Sequence, residues 1–117
     1  MKKLSENLVI EKKSKFYGFM FFINSVEEVD LIINELKKEH KKAKHVCYAY
    51  KFGNIERKNE DKEPSGSAGL PILEVINKNN LDNTLIVVVR YFGGTLLGKG
   101  LLTRTYSKCA RELIKEH

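Results

Sequence analysis

The sequence predicts an α/β chain of the α+β sandwich kind, with helices packed on a mixed four- to five-stranded sheet and about three helices in all. Three observations carry this. Residues 84–91, TLIVVVRY, form a continuous β-branched run of the kind found in a central strand buried on both faces. Residues 15–23 (KFYGFMFFI) and 45–52 (HVCYAYKF) have the aromatic and alternating composition of strands. Segments with apolar residues at helical spacing fall between them, giving the order β-β-α-β-β-α-β-α.

Taking the elements in order, the charged N-terminal segment before residue 15 is placed to pair with the first aromatic strand. The first helix opens on Ser25 with Glu28 three residues later, a capping-box pattern, and Val26, Val29, Ile33 and Leu36 recur on one face. Its acidic start (Glu27, Glu28, Asp30) and basic end (Lys37, Lys38, Lys41, Lys42) complement the helix dipole, so this charge run has a local explanation. After the strand at 45–52, Gly53-Asn54 supplies turn chemistry before a polar strand or loop near 55–59. Residues 60–70, EDKEPSGSAGL, mix charge, proline and glycine and read as a loop. A helix follows from about Ala68 or Pro71, with Ile72, Val75 and Ile76 on its apolar face, and ends at Asn79-Asn80. From about Leu101 the last helix sets Leu102, Tyr106, Cys109 and Leu113 on one face and Arg104, Lys108, Arg111 and Lys115 on the other.

The 117 residues fit one domain, 1–117, with 42% hydrophobic and 31% charged residues, which excludes a disordered or membrane-embedded class. The apolar run at 85–89 is far too short to span a bilayer, and the first residues lack the apolar stretch of a signal peptide. A cytoplasmic protein without a membrane partner is expected. Cys47 and Cys109 fit no zinc spacing and are too few for a disulfide framework, so both read as reduced core residues, and neither metal nor cofactor is implied. The net charge of +6 is concentrated toward the two ends of the chain and favours anionic partners. The sequence leaves the oligomeric state open.

The densest signal is RYFGGTLLGKG at 90–100, where Gly93, Gly94, Gly98 and Gly100 lie between a buried strand and a helix. Glycine there permits positive φ and close approach of a ligand to the backbone, and Arg90, Lys99 and Arg104 add charge for a phosphate or carboxylate. The same glycines also serve a tight crossover. Gly93 to Lys99 fits G-x-x-x-x-G-K after a strand, but Gly100 stands where a phosphate-binding loop needs a Ser or Thr hydroxyl for Mg²⁺. The 17 residues after it leave no room for the rest of a nucleotide-hydrolysing core.

A second segment, Glu63-Pro64-Ser65-Gly66-Ser67-Ala68-Gly69-Leu70-Pro71, places a carboxylate, hydroxyls and backbone donors near a helix start. A nucleophilic Ser there needs a base, for which His45 is the one histidine inside a predicted strand; the plainer reading is an ordered loop capping a helix. His45 and Cys47 share a strand face, as a catalytic pair would, or as a packed cysteine beside a hydrogen-bonded histidine. The basic stripe Arg104, Lys108, Arg111, Lys115 is either a solvated face or, with Tyr91 and Phe92 for stacking, a track for a nucleic-acid backbone.

These residues also carry a resemblance. Gly69, Ile72-Leu73, Ile76, Leu81, Val87-Val88, Arg90-Tyr91-Phe92-Gly93-Gly94, Leu97 and Gly98 resemble the signature of the Impact/YigZ family. The likeness extends to His45-x-Cys47-x-Ala49-Tyr50, to Glu63-Pro64-Ser65-Gly66-x-Ala68-Gly69-x-Pro71 and to Arg104-x-Tyr106-Ser107, covering the chain from about Ser14 onward. Lys62 departs from it where the family usually has glycine, and Leu101 where a second glycine follows Gly100. The resemblance implies a fold like the second domain of a small-subunit ribosomal protein and domain IV of elongation factor G, a superfamily rich in RNA-binding and translation proteins. Bacterial relatives usually add a C-terminal ferredoxin-like domain, whereas eukaryotic ones add an N-terminal domain and regulate translation initiation; a lone core domain, or a truncated piece of a longer chain, is expected here.

The function expected is therefore a non-enzymatic cytoplasmic domain that binds RNA, the ribosome or a translation-related protein and regulates translation or a stress response. Arg90, Tyr91, Gly93, Gly94, Gly98, Lys99 and Arg104 form its anion- or partner-binding loop. His45, Glu63, Ser65 and Gly66 are a second segment of that site, and Lys108, Arg111 and Lys115 a basic helix face. Two alternatives stand beside it: an enzyme acting on a phosphorylated or carboxylate small molecule, and a protein-interaction module docking through the basic C-terminal helix.

Overall fold

The computed structural model describes residues 2–116 and contains five strands and three helices. They run β1 (Lys2–Glu11), β2 (Ser14–Phe22), α1 (Glu27–Glu39), β3 (His45–Phe52), β4 (Ile55–Asn59), α2 (Gly69–Lys78), β5 (Thr84–Tyr91) and α3 (Lys99–Glu116). The sheet order is β1-β2-β5-β3-β4, and the pairing is antiparallel throughout rather than mixed as expected. The reason lies in the connections: β5 enters between two existing strands, β2 and β3, and runs opposite to both.

β5 is the central strand, with Thr84 to Arg90 all buried. Alternate side chains feed two cores. Leu85, Val87 and Val89 pack with Phe19, Val46 and Tyr50 under α1, whose Val29, Ile32, Ile33 and Leu36 close that face. Ile86 and Val88 point the other way, against Ile72, Val75 and Ile76 of α2 and Leu102, Tyr106, Cys109 and Leu113 of α3. The helical spacing read in the last helix thus marks its buried face.

The N-terminal segment does pair with β2, through a two-residue turn in which Lys12 (φ 46°) and Lys13 (φ 69°) both occupy the left-handed region. Such a turn matches the twist of a hairpin but usually recruits Asn or Gly, so two lysines are held there against their preference. Two local expectations shift. Ser25 does not cap α1 with its side chain; the Glu28 carboxylate instead accepts the Asn24 N–H at 3.0 Å. α3 starts at Lys99, two residues before Leu101, because Gly98 (φ 78°) turns the chain directly into the helix and its carbonyl accepts the Leu102 N–H.

Candidate functional site

On the α2/α3 side of the sheet, His45 of β3 and Arg90 of β5 stand opposite one another in register, as do Phe16 of β2 and Arg90. Arg90 is therefore enclosed by its neighbours: its guanidinium lies 5.6 Å from the Phe16 ring centroid, and only 5% of the residue is exposed. An unpaired charge at that depth is untenable, and the loop after β4 supplies the counter-charge. Arg90 Nη1 donates to Glu63 Oε1 and Oε2 at 3.0 and 2.8 Å, Tyr106 Oη donates to Oε2 at 2.5 Å, and His45 Nε2 lies 3.4 Å from Oε1. His45 Nδ1 is 2.6 Å from the carbonyl of Asp61, an acceptor only, so Nδ1 carries the proton. Cys47 Sγ completes the cluster, 3.5 Å from Tyr106 Oη and 3.2 Å from the Glu60 carbonyl.

The loop carrying Glu63 is itself pinned. Asp61 (φ 42°) and Lys62 (φ 67°) are left-handed, which turns the chain back so that the Asp61 carboxylate accepts the Val46 N–H at 2.6 Å. The residue where the sequence departs from glycine thus sits in a conformation that glycine adopts freely. Glu60 fills the anion position at the start of α2: Oε1 accepts the N–H groups of Ala68 and Gly69 at 2.8 and 2.7 Å, and Oε2 those of Gly66 and Leu70 at 3.3 Å. The backbone donors that sequence reasoning offered to a ligand are occupied by the chain's own carboxylate.

The electrostatics follow from burial. Desolvation pushes the Cys47 thiol far above its ordinary value, with Glu63, Asp61 and Glu60 adding to it and only the Tyr106 hydrogen bond opposing. Tyr106 is likewise raised well above its ordinary value, by burial first and then by Cys47 and Glu63. Both stay protonated near neutral pH. Cys47 is thus a poor nucleophile, and the Glu63 oxygens are already committed to Arg90 and Tyr106.

Above this cluster opens a cleft of about 310 Å³, lined at its floor by His45, Glu63 and Arg90 and at its rim by Lys44, Phe92, Leu96 and Lys99. The two sequence segments do meet. His45, Glu63, Arg90, Gly98 and Lys99 come together here; Tyr91, Gly93, Gly94, Ser65, Gly66 and Arg104 are not among the lining residues. Strand alternation explains Tyr91, which lies on the α1 face with its hydroxyl 2.6 Å from His40 Nδ1. Ser65 is exposed, and Gly66 gives its N–H to Glu60. Gly93 is architectural: a Cβ there would overlap the Lys13 backbone, and its N–H reaches Ser14 Oγ at 3.2 Å. Gly94 (φ 93°) and Gly98 (φ 78°) shape the loop through backbone conformation that L-residues rarely adopt. Arg104, Lys108, Arg111 and Lys115 are all exposed, as their spacing implies. Lys44, Leu96 and the hydrogen bond from Tyr106 to Glu63 have no counterpart in the sequence reading, although the helical spacing does place Tyr106 inward. Of the adjacent Leu96 and Leu97 in that loop, Leu97 is buried and Leu96 is 85% exposed, a division that the sequence does not show.

Comparison with known proteins places this arrangement. The family model for the Impact N-terminal domain matches residues 12–114. The chain belongs to the Impact family. The Impact relatives include IMPACT family member YvyE of Bacillus subtilis (strain 168), 41% identical over 96% of this chain and 53% of the relative. Another is IMPACT family member YigZ of Escherichia coli (strain K12), 31% identical over 90% of this chain and 54% of that protein. The chain spans about half the length of these curated relatives. Among solved structures, a crystal structure of a hypothetical protein matches with a TM-score of 0.92 at 28% identity, covering 99% of this chain and 62% of that one. The two-domain translational regulator Yih1 shares the fold, with a TM-score of 0.62 at 23% identity over 97% of this chain and 46% of that one.

Proposed function

We propose that this Impact domain is a non-enzymatic binding module that regulates translation by contacting RNA, the ribosome or a ribosome-bound protein through the cleft and its glycine loop. The observation that carries this reading is the rim. Leu96 and Phe92 are exposed by 85% and 46% on a loop whose base is rigidly packed, and Lys44 and Lys99 flank them. A loop with a packed base that exposes large apolar side chains between cations suits a macromolecular contact. In the floor beneath, Glu63 is engaged by Arg90 and Tyr106 and the Cys47 thiol is held protonated, which favours a contact surface over a nucleophilic site. The likeness of the fold to that of the two-domain translational regulator Yih1 supports translation as the process.

The test is co-sedimentation of the purified protein with ribosomes across a salt series. Salt-sensitive association is expected, and the Leu96→Ala, Lys99→Ala variant should lower it about tenfold or more, a combined loss of about 1.4 kcal/mol or more. No association at low salt, or association indifferent to both substitutions, would overturn the reading.

A further inference from the structure

Phe92 lines a second hollow as well as the cleft. On its other side lie Lys13, Lys15, Tyr17 and Tyr91, so the ring stands between two depressions, each with lysines at its edge. Lys13 and Lys15 border one and Lys44 and Lys99 the other, and all four are exposed. No carboxylate among the described residues lies within ion-pair distance of any of them. Lys44 Nζ lies over the Phe92 ring, 5.8 Å from its centroid, so a planar group stacks on the opposite face with a cation behind the ring. Lys13 is presented by the left-handed Lys12-Lys13 turn, and Gly93 lets that turn press directly against the glycine loop. Strained residues kept at one edge of a charged surface mark a place where presentation outweighs local stability.

We infer that this end of the sheet, where β2 and β3 begin and β5 ends, is a track for single-stranded RNA. A base stacks on Phe92 while the flanking phosphates meet Lys13 and Lys15 on one side and Lys44 and Lys99 on the other. Four unpaired cations call for a polyanion, and the exposed aromatic between them distinguishes a single strand with free bases from an acidic peptide or a duplex. The inference rests on the translation-binding reading and names its partner.

The chain contains no tryptophan, so Phe92→Trp gives a single-site reporter. Titration with a short single-stranded RNA should quench the emission of the introduced indole. The affinity should fall with salt at a log–log slope of about −0.7 for each lysine engaged. Lys15→Gln and Lys44→Gln should each make that slope shallower by about this amount, and Phe92→Ala should weaken binding about tenfold while leaving the slope unchanged. Equal binding of a duplex of the same sequence, or of polyglutamate, overturns the track, as does RNA binding indifferent to Phe92→Ala. Ribosome co-sedimentation separates the two failures: if it persists while free RNA does not bind, the track is wrong and the binding-module reading stands; if both are absent, both fall.

Discussion

Glu63 is the residue on which the buried cluster turns. It sits in a loop, yet only 2% of its side chain is exposed, because it answers the charge that β5 buries at Arg90. Removing one partner of such a pair strands the other, so Glu63→Ala should cost about 3–5 kcal/mol in urea denaturation. Arg90→Met combined with Glu63→Leu should recover most of that loss, since apolar replacement of both partners is commonly near neutral. A single substitution costing under about 1 kcal/mol would show that the cluster is not structural. The thiol and phenol beneath it set a pH limit. Burial raises both Cys47 and Tyr106, so above the ordinary values of 9.0 and 10.0 the unfolded chain has released protons that the folded chain retains. Stability is therefore full below about pH 9 and falls as pH rises beyond it, by roughly 1.4 kcal/mol per pH unit for each such group. Denaturation at about pH 8 and pH 10 should show the decline, and Cys47→Ala should remove the part that begins near pH 9.

At the scale of elements, the two left-handed loops carry the most telling substitutions. Gly93 and Gly94 look equivalent in sequence but differ in kind: Gly93 faces the Lys13 backbone, whereas Gly94 has open space and a φ of 93°. Gly93→Ala must displace the β1–β2 turn and should cost more than Gly94→Ala, which bears only the left-handed penalty of roughly 1–2 kcal/mol. Equal thermal shifts for the two would contradict the packing. In the other loop Lys62 already bears such a penalty, so Lys62→Gly should leave stability unchanged or raise it by up to about 1 kcal/mol, the gain being offset by the entropy of the unfolded chain. These contrasts explain what was legible. Spacing found every helix face, because burial of an apolar stripe is a local consequence of sequence. It could not tell which glycine meets another backbone, nor that Glu60 fills the α2 terminus, since both depend on contacts between segments distant along the chain or in a folded loop.

At the scale of the whole molecule, the composite site was half legible. His45, Glu63, Arg90 and Lys99 stand out in the sequence and do converge, but Arg90 is not free for a ligand, because its position on a doubly buried strand requires a partner from within. The strand's centrality itself was plain from TLIVVVRY, and it has a consequence for dynamics. β5 is bonded to β2 and β3 and covered by helices on both faces, so its amides open only when the sandwich comes apart. β4 is an edge strand whose five residues are all exposed and which has one neighbour, β3. Hydrogen exchange should therefore place β5 at the global unfolding free energy and β4 well below it, with β1 between, since Ser5 and Asn7 tie it to α3 through the carbonyls of Leu113 and Cys109. Glu63→Ala should lower protection in β5 by as much as it lowers global stability, because the Arg90 pair lies within that same cooperative unit. If it instead loosens only residues 60–68 and leaves β5 protection at its full value, the cluster anchors a loop and not the sandwich.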